Sequence, residues 1–151
     1  MDFTPSSSSH VETASDAAGL FRAALPINQC EERVFVLPLD ATGNALAKPI
    51  LVSVGDKDGT ATIDVGDILR EALKASAEEI IIAHNHPSGD LTPSRADIDT
   101  SERIRQGAEL VGLRLLDHLI LGKPSMNGDE DFVSIAELSV ARLRNCHNNN
   151  D

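Results

Sequence analysis

The chain has 151 residues, of which 41% are hydrophobic and only 3% are aromatic. This length fits one domain, with a core built from Leu, Ile, Val and Ala rather than from rings. The 13 Lys and Arg residues against 24 Asp and Glu residues give a formal net charge of −11. Because nucleic-acid binders gain affinity by neutralising phosphates with basic side chains, direct nucleic-acid binding is not expected.

The first residues contain neither a basic region nor an apolar run, so they do not resemble a signal peptide. No apolar stretch approaches the ~18 residues that a membrane-spanning helix needs. We therefore expect a cytoplasmic protein. The Ser-rich stretch 1–15 and the Asn-rich stretch 145–151 are expected to be disordered tails around a single domain over 16–144.

The first part of this domain alternates between helical and strand patterns. The sequence predicts a helix over 16–24, a strand over 33–39 and a second strand over 46–54. Pro38 lacks a backbone N–H, so it should lie at a sheet edge or at a bulge. Asp64 is placed to cap a helix whose apolar residues recur at three- and four-residue spacing: Val65, Ile68, Leu69, Ala72 and Leu73.

A third strand is predicted over 79–84, followed by a second amphipathic helix. Thr92 is expected as the N-cap of this helix and Pro93 as its first helical residue. Gly112 is expected to end it. Its apolar face should consist of Ile98, Ile104, Ala108 and Val111.

Two further strands are predicted over 113–122 and 131–135, and a short helix through Leu138, Ala141 and Leu143 is expected to end the fold. Strands that alternate with helices indicate a mixed α/β class with a central sheet and helices packed on it.

Two histidines stand at the end of the third predicted strand, in the run IIIAHNH. Residues two apart in a strand point to the same face, so His84 and His86 can aim their rings at one point while Asn85 faces away. Strand ends beside loops are where α/β proteins tend to hold ligands. The alternative is that each histidine is an ordinary polar residue at a loop edge.

A catalytic zinc ion takes three protein ligands and keeps a fourth position for water. Asp97, in the first turns of the next helix, is the favoured third ligand after His84 and His86. Asp90 is a rival, but it lies in the loop and spacing does not define its direction. Ser94 stands three residues before Asp97 and therefore shares a helical face with it.

Other proteins with a His-x-His pair fit less well. Amidohydrolases carry the pair in a TIM barrel, which needs ~250 residues. The metallo-β-lactamase pattern has Asp and His directly after the pair, where Ser88 and Gly89 stand here. The letters HNH match the name of a nuclease family whose residues are scattered over a longer motif, so that agreement is a coincidence.

The string His84-x-His86-Pro87, six residues, Ser94, two residues, Asp97 resembles the JAMM signature of JAB/MPN-domain metallopeptidases. The longer string HNHPSGDLTPSRAD, followed by LLDHLILG, is similar to the RadC-type branch, and the resemblance runs from about residue 31 to residue 137. It implies a cytidine-deaminase-like α/β fold with a central, mostly antiparallel sheet flanked by helices.

The resemblance also implies an activity, which is zinc-dependent hydrolysis of an amide bond in a peptide or isopeptide. His84, His86 and Asp97 would bind Zn2+, with water in the fourth site. Counting back from the first strand makes Glu32 the general acid/base, with Glu31 as the next candidate. This carboxylate would accept the proton of the water and deliver it to the leaving amine.

Ser94 would donate a hydrogen bond to the oxyanion of the tetrahedral intermediate. The implied partner is a peptide or protein substrate, and a homo-oligomer is compatible with the sequence. Two alternatives stay open: a binding module that keeps the metal without turnover, and a RadC-type accessory protein in DNA repair.

The chain departs from the RadC pattern in three places, none of which is a metal ligand. It has too few residues before residue 31 for the N-terminal helical region of RadC proteins, Pro38 replaces a Leu, and Asp64-Val65 replaces a His-Pro pair. RadC-like chains share the pair Asp117-His118, which alternation sends to opposite faces. Asp117 is expected either to orient a metal-bound imidazole or to anchor the sheet.

Overall fold

The computed structural model describes residues 10–26, 30–55, 61–123 and 131–136. The short helix expected through Leu138, Ala141 and Leu143 and the tail over 145–151 lie outside these residues. The described helices and strands follow one another as α1 (Ala14–Ala24), β1 (Arg33–Leu39), β2 (Ile50–Val54), α2 (Val65–Lys74), β3 (Glu79–Asn85), α3 (Arg95–Leu110), β4 (Arg114–Leu121) and β5 (Phe132–Ser134).

The five strands form one sheet in the order β2-β1-β3-β4-β5. Only β3 and β4 are parallel, and the other neighbouring pairs are antiparallel. The parallel pair is connected through α3, as a parallel connection requires a crossover. The predicted α/β class, with a mostly antiparallel sheet flanked by helices, is confirmed.

Alternate residues of β3 pack on opposite faces of the sheet. Ile81 and Ala83 belong to the hydrophobic cluster that contains α1, whereas Ile80 and Ile82 belong to the cluster that contains α2 and α3. A strand that is covered on both faces has a continuous apolar sequence, which explains the run of apolar residues before the histidines. His84 continues the face of Ile80 and Ile82, so its ring lies on the side of α3.

Pro38 lies inside β1 but beyond the part that pairs with β2, which ends at Val36. Its carbonyl accepts a hydrogen bond from the N–H of Leu46 at 2.9 Å. Because the N and C=O of one strand residue point to the same side, the proline nitrogen also faces away from β3. Pro38 therefore removes no donor from the ladder between β1 and β3, as expected for an edge-like position.

The chain makes defined contacts before α1. The N–H of Val11 donates to the carbonyl of Gly43 at 2.8 Å, and Thr13 caps α1 in a capping box with Asp16. Helix α1 thus begins at Ala14, two residues before the predicted start. Strand β2 is shorter than predicted, since it begins at Ile50 rather than at residue 46.

Helix α2 matches its prediction at the N-terminus, where the Asp64 carboxylate accepts the N–H of Asp67 at 3.0 Å. Ile68 and Ala72 are buried, but Leu73 is 49% exposed. None of the described helices is long and apolar enough to cross a membrane.

The predicted start of α3 at Thr92 is wrong, because Ser94 is the N-cap. The Ser94 hydroxyl accepts the N–H of Asp97 at 3.0 Å, and the Ser94 N–H donates to the Asp97 carboxylate at 2.9 Å. This reciprocal box satisfies two N–H groups at the helix start. Pro93 therefore lies just before the cap rather than at the first helical position.

The predicted apolar face of α3 is only half correct. Ile104 and Ala108 are fully buried, whereas Ile98 is 41% exposed and Val111 is 45% exposed. Val111 follows the last helical residue, so it is outside the helical periodicity. Gly112 has a φ of 78° and ends the helix as predicted, since glycine adopts this left-handed conformation without strain.

Candidate metal centre

The predicted ligands converge at the carboxyl end of β3. The Nε2 atoms of His84 and His86 are 3.0 Å apart. The Asp97 carboxylate approaches from α3, with Oδ1 3.4 Å from His84 Nε2 and Oδ2 3.7 Å from His86 Nε2. Within the described ranges, this is the one group of three ligating side chains that could hold a metal ion.

Asp97 reaches the strand end because of its place in the capping box of α3. The box holds its carboxylate against the Ser94 N–H, at the helix end nearest to β3. Burial by itself would raise the pKa of Asp97, but hydrogen bonds from His84 and from the Ser94 backbone hold it well below its usual range. Asp97 is therefore an ionised carboxylate at neutral pH, as a metal ligand must be.

Asp90, the rival ligand, makes its contacts within the loop between β3 and α3. Its carboxylate accepts the N–H of Thr92 at 3.0 Å, and its backbone carbonyl lies 2.7 Å from His86 Nδ1. A carbonyl can only accept, so His86 carries its proton on Nδ1. His86 Nε2 then carries a lone pair that faces the site, 3.0 Å from His84 Nε2 and 3.7 Å from Asp97 Oδ2. A metal-ligating histidine usually shows this arrangement, in which the other ring nitrogen donates to a carbonyl or carboxylate.

The donor set fits a zinc ion. It consists of two imidazole nitrogens and one carboxylate oxygen, which all lie within 4.8 Å of one another. Two histidines and one carboxylate are a known ligand set of catalytic zinc, which keeps a fourth position open. The structure thus brings together the three side chains that the sequence offered as ligands, and they could hold a metal ion.

Glu32 precedes β1, and β1 pairs with β3 so that Val34 lies opposite His84. This register brings Glu32 into a cavity of about 320 Å³ that His84, His86, Ser94 and Asp97 also line. One of its carboxylate oxygens, Oε2, accepts the N–H of Ala61 at 2.8 Å. Glu31 is exposed, does not line this cavity, and lies 3.8 Å from the Arg33 guanidinium.

Asn85 has a role that the sequence did not reveal. It faces away from the histidines, as predicted, and it is only 1% exposed. Its Oδ1 accepts the N–H of Arg33 at 2.7 Å, and its Nδ2 donates to the carbonyl of Glu31 at 3.1 Å. Asn85 therefore holds the backbone on both sides of Glu32. The available signal was a polar residue in a buried strand, which must find partners.

Of the two roles expected for Asp117, the structure supports the anchoring of the sheet. Its carboxylate accepts the hydroxyl of Ser134 at 2.5 Å and the N–H of Ala136 at 3.1 Å, so it anchors β5. The neighbour of the ligand set is His118 instead. Its Nε2 lies 2.8 Å from the Nδ1 of His84.

Burial lowers the pKa of His118 to about 3, and the neighbouring His84 adds to this effect while Asp97 opposes it. The unfolded chain keeps a value near 6.5, so between these limits the unfolded state binds more protons. The metal-free protein should therefore keep its full stability above about pH 6.5 and lose up to ~1.4 kcal/mol per pH unit below it. Urea titrations between about pH 7 and about pH 5 measure this slope.

His118→Leu provides the comparison, because it removes the group that gains the proton on unfolding. Its stability should depend less on pH over the same range. Equal slopes in both proteins would contradict the assignment of this effect to His118.

A comparison with known protein families shows which family this chain belongs to. A model of the RadC-like JAB domain matches residues 11–140, which is most of the chain. The chain belongs to the RadC-like JAB domain family. The sheet and its helices are thus a JAB domain, and the match extends further towards the N-terminus than the resemblance noted from residue 31.

Curated relatives of this JAB domain carry the name UPF0758 protein. The chain is 48% identical to one from Carboxydothermus hydrogenoformans over 93 residues, which is 62% of this chain and 40% of the relative. It is 39% identical to one from Thermosynechococcus vestitus over 134 residues, 85% of this chain and 49% of the relative. The chain thus spans less than half the length of these two relatives.

Proposed function

We propose that this JAB domain is a zinc-dependent hydrolase of the JAMM type that cleaves an amide bond in a peptide or isopeptide. The observation that carries the proposal is the convergence of three ligating side chains with a carboxylate in one cavity. His84, His86 and Asp97 would hold the ion, and Glu32 lines the same cavity. The net charge of −11 favours a peptide or protein substrate over a nucleic acid.

The bound zinc ion would lower the pKa of a water molecule and polarise the substrate carbonyl. Glu32 has one carboxylate oxygen held by the Ala61 N–H, which orients the group. Its other oxygen, Oε1, would accept a proton from water and deliver it to the leaving amine. This transfer matters because an amine is a poor leaving group until it is protonated.

Ser94 supports the reaction through its hydroxyl. The oxygen already accepts the N–H of Asp97, but a hydroxyl also has one proton to donate. Ser94 lines the cavity, so this proton can be directed at the oxygen of the substrate carbonyl as negative charge develops there. A single donor of this type is typically worth ~3 kcal/mol of transition-state stabilisation.

The direct test is hydrolysis of a peptide library that includes isopeptide-linked lysine. Zinc-loaded protein should cleave at least one class of substrate, chelation should remove the activity, and added zinc should restore it. Cleavage that survives complete chelation would contradict the proposal. Zinc-loaded protein that cleaves nothing would instead favour a metal-retaining binding module.

A further inference from the structure

The contact between His84 and His118 lies on the side of the His84 ring that faces away from the cavity. Both side chains are buried, at 3% and 1% exposure, and their ring centroids are 4.9 Å apart in an edge-on arrangement. The two ring nitrogens of His84 thus face different groups. Its Nε2 faces His86 and Asp97, and its Nδ1 faces His118 Nε2 at 2.8 Å.

This distance requires one proton between the two nitrogens, because one must donate and the other must accept. A neutral imidazole has one protonated and one unprotonated nitrogen. If His84 donates from Nδ1, its Nε2 carries a lone pair and can bind a metal ion. If His118 donates from Nε2, the remaining proton of His84 is on Nε2, which cannot then be a ligand.

The two arrangements differ at the far side of His118. When His118 accepts from His84, its own proton is on Nδ1, which is buried and has no acceptor among the described residues. A buried donor without a partner costs about 1–3 kcal/mol. When His118 donates, its Nδ1 carries only a lone pair. The His84 Nε2–H then has two acceptors, the His86 Nε2 lone pair at 3.0 Å and the Asp97 carboxylate at 3.4 Å.

We propose that His118 is a positioning residue that accepts a hydrogen bond from His84 Nδ1 and thereby keeps His84 Nε2 free for the metal ion. The inference rests on the proposed metal site, but not on peptide cleavage. Without metal, the opposite arrangement is favoured, with both histidines protonated on Nε2. In the metal-bound state both are protonated on Nδ1, so each ring keeps one proton and none is released overall.

Three substitutions of His118 separate this role from simple packing. Leu fills the buried space and removes the acceptor. Gln can place an amide oxygen near the position of the His118 Nε2 atom, within reach of His84. Asn is the matched control, because its amide has the same chemistry but lies near the position of the Nδ1 atom, one bond too short to reach His84.

Zinc affinity, measured by competition with a chelator, is the first readout. Loss of the partner of a metal-bound histidine typically weakens metal binding ~10–100-fold, so we expect this loss in His118→Leu and His118→Asn. His118→Gln should recover most of the affinity. Thermal melting of the metal-free variants shows whether each is folded.

Heteronuclear NMR of the imidazole nitrogens is the second readout, and it needs no variant. Adding zinc to the wild type should move the proton of both His84 and His118 from Nε2 to Nδ1. His118 that keeps its proton on Nε2 in the zinc-bound protein would overturn the inference.

The inference and the proposed function fail in different ways. Equal zinc affinity in wild type and His118→Leu would overturn the inference and leave the hydrolase proposal intact. The predicted ranking of affinities without any peptide cleavage would support the inference while the hydrolase proposal failed. No zinc binding by the wild type would overturn both.

Discussion

Glu32→Gln should lose nearly all hydrolysis while it keeps its zinc. Glutamine retains the size of the side chain and an oxygen that can accept the Ala61 N–H, so the backbone near the cavity should be unchanged. It cannot take up a proton from water and pass it to the leaving amine. General acid–base groups typically contribute ~10²–10⁴ in rate, and a loss of this size is expected in kcat.

Glu31→Gln is the matched control, since it is the adjacent residue with the same change in charge. Glu31 is exposed and does not line the cavity, so its substitution should leave kcat close to that of the wild type. Both variants should melt within a few degrees of the wild type. If Glu31→Gln loses activity and Glu32→Gln does not, the general acid/base is Glu31.

His86→Ala should remove most of the zinc from the protein. The wild type should hold about one ion per chain. The variant should lose it, because a catalytic zinc site has three protein ligands and His86→Ala keeps only two. A ligand that binds only the folded state stabilises it by ~4 kcal/mol at a free concentration of ~1,000 times its Kd. Added zinc should therefore raise the Tm of the wild type and have little effect on His86→Ala.

His10→Ala is the control for loss of a histidine outside the site, since His10 Nδ1 pairs with Asn44 instead. It should bind zinc like the wild type. The metal-free protein should still fold, because both faces of the sheet have their own hydrophobic clusters. Equal zinc content in His86→Ala and the wild type would show that the ion is held elsewhere.

Local periodicity explains why the convergence of the three candidate ligands could be predicted from the sequence. A strand places His84 and His86 on one face because they are two residues apart. A helix start places Ser94 and Asp97 together because they are three residues apart. The continuous apolar run of β3 also indicated burial on both faces. Each of these relations lies within one element, so no knowledge of distant contacts was needed.

Choices between neighbouring residues were less predictable. Thr92 and Ser94 are both good N-caps, and the helix begins at Ser94 because Asp97 completes the capping box there. Ile98 and Val111 fit the apolar spacing of α3, but both are largely exposed. Spacing defines which residues share a face, and only packing decides how far that face is covered.

Contacts between strands were decided by the tertiary structure alone. Asn85 reaches the backbone on both sides of Glu32 because β1 pairs antiparallel with β3 in one particular register. His118 reaches His84 because β4 lies parallel to β3, with a shift of register after Ile80. A shift of one residue would turn these side chains to the other face of the sheet. The sequence by itself therefore identified the three candidate metal ligands. The partners of these side chains and the position of Glu32 beside them depend on strand register, which contacts between residues far apart in the chain establish.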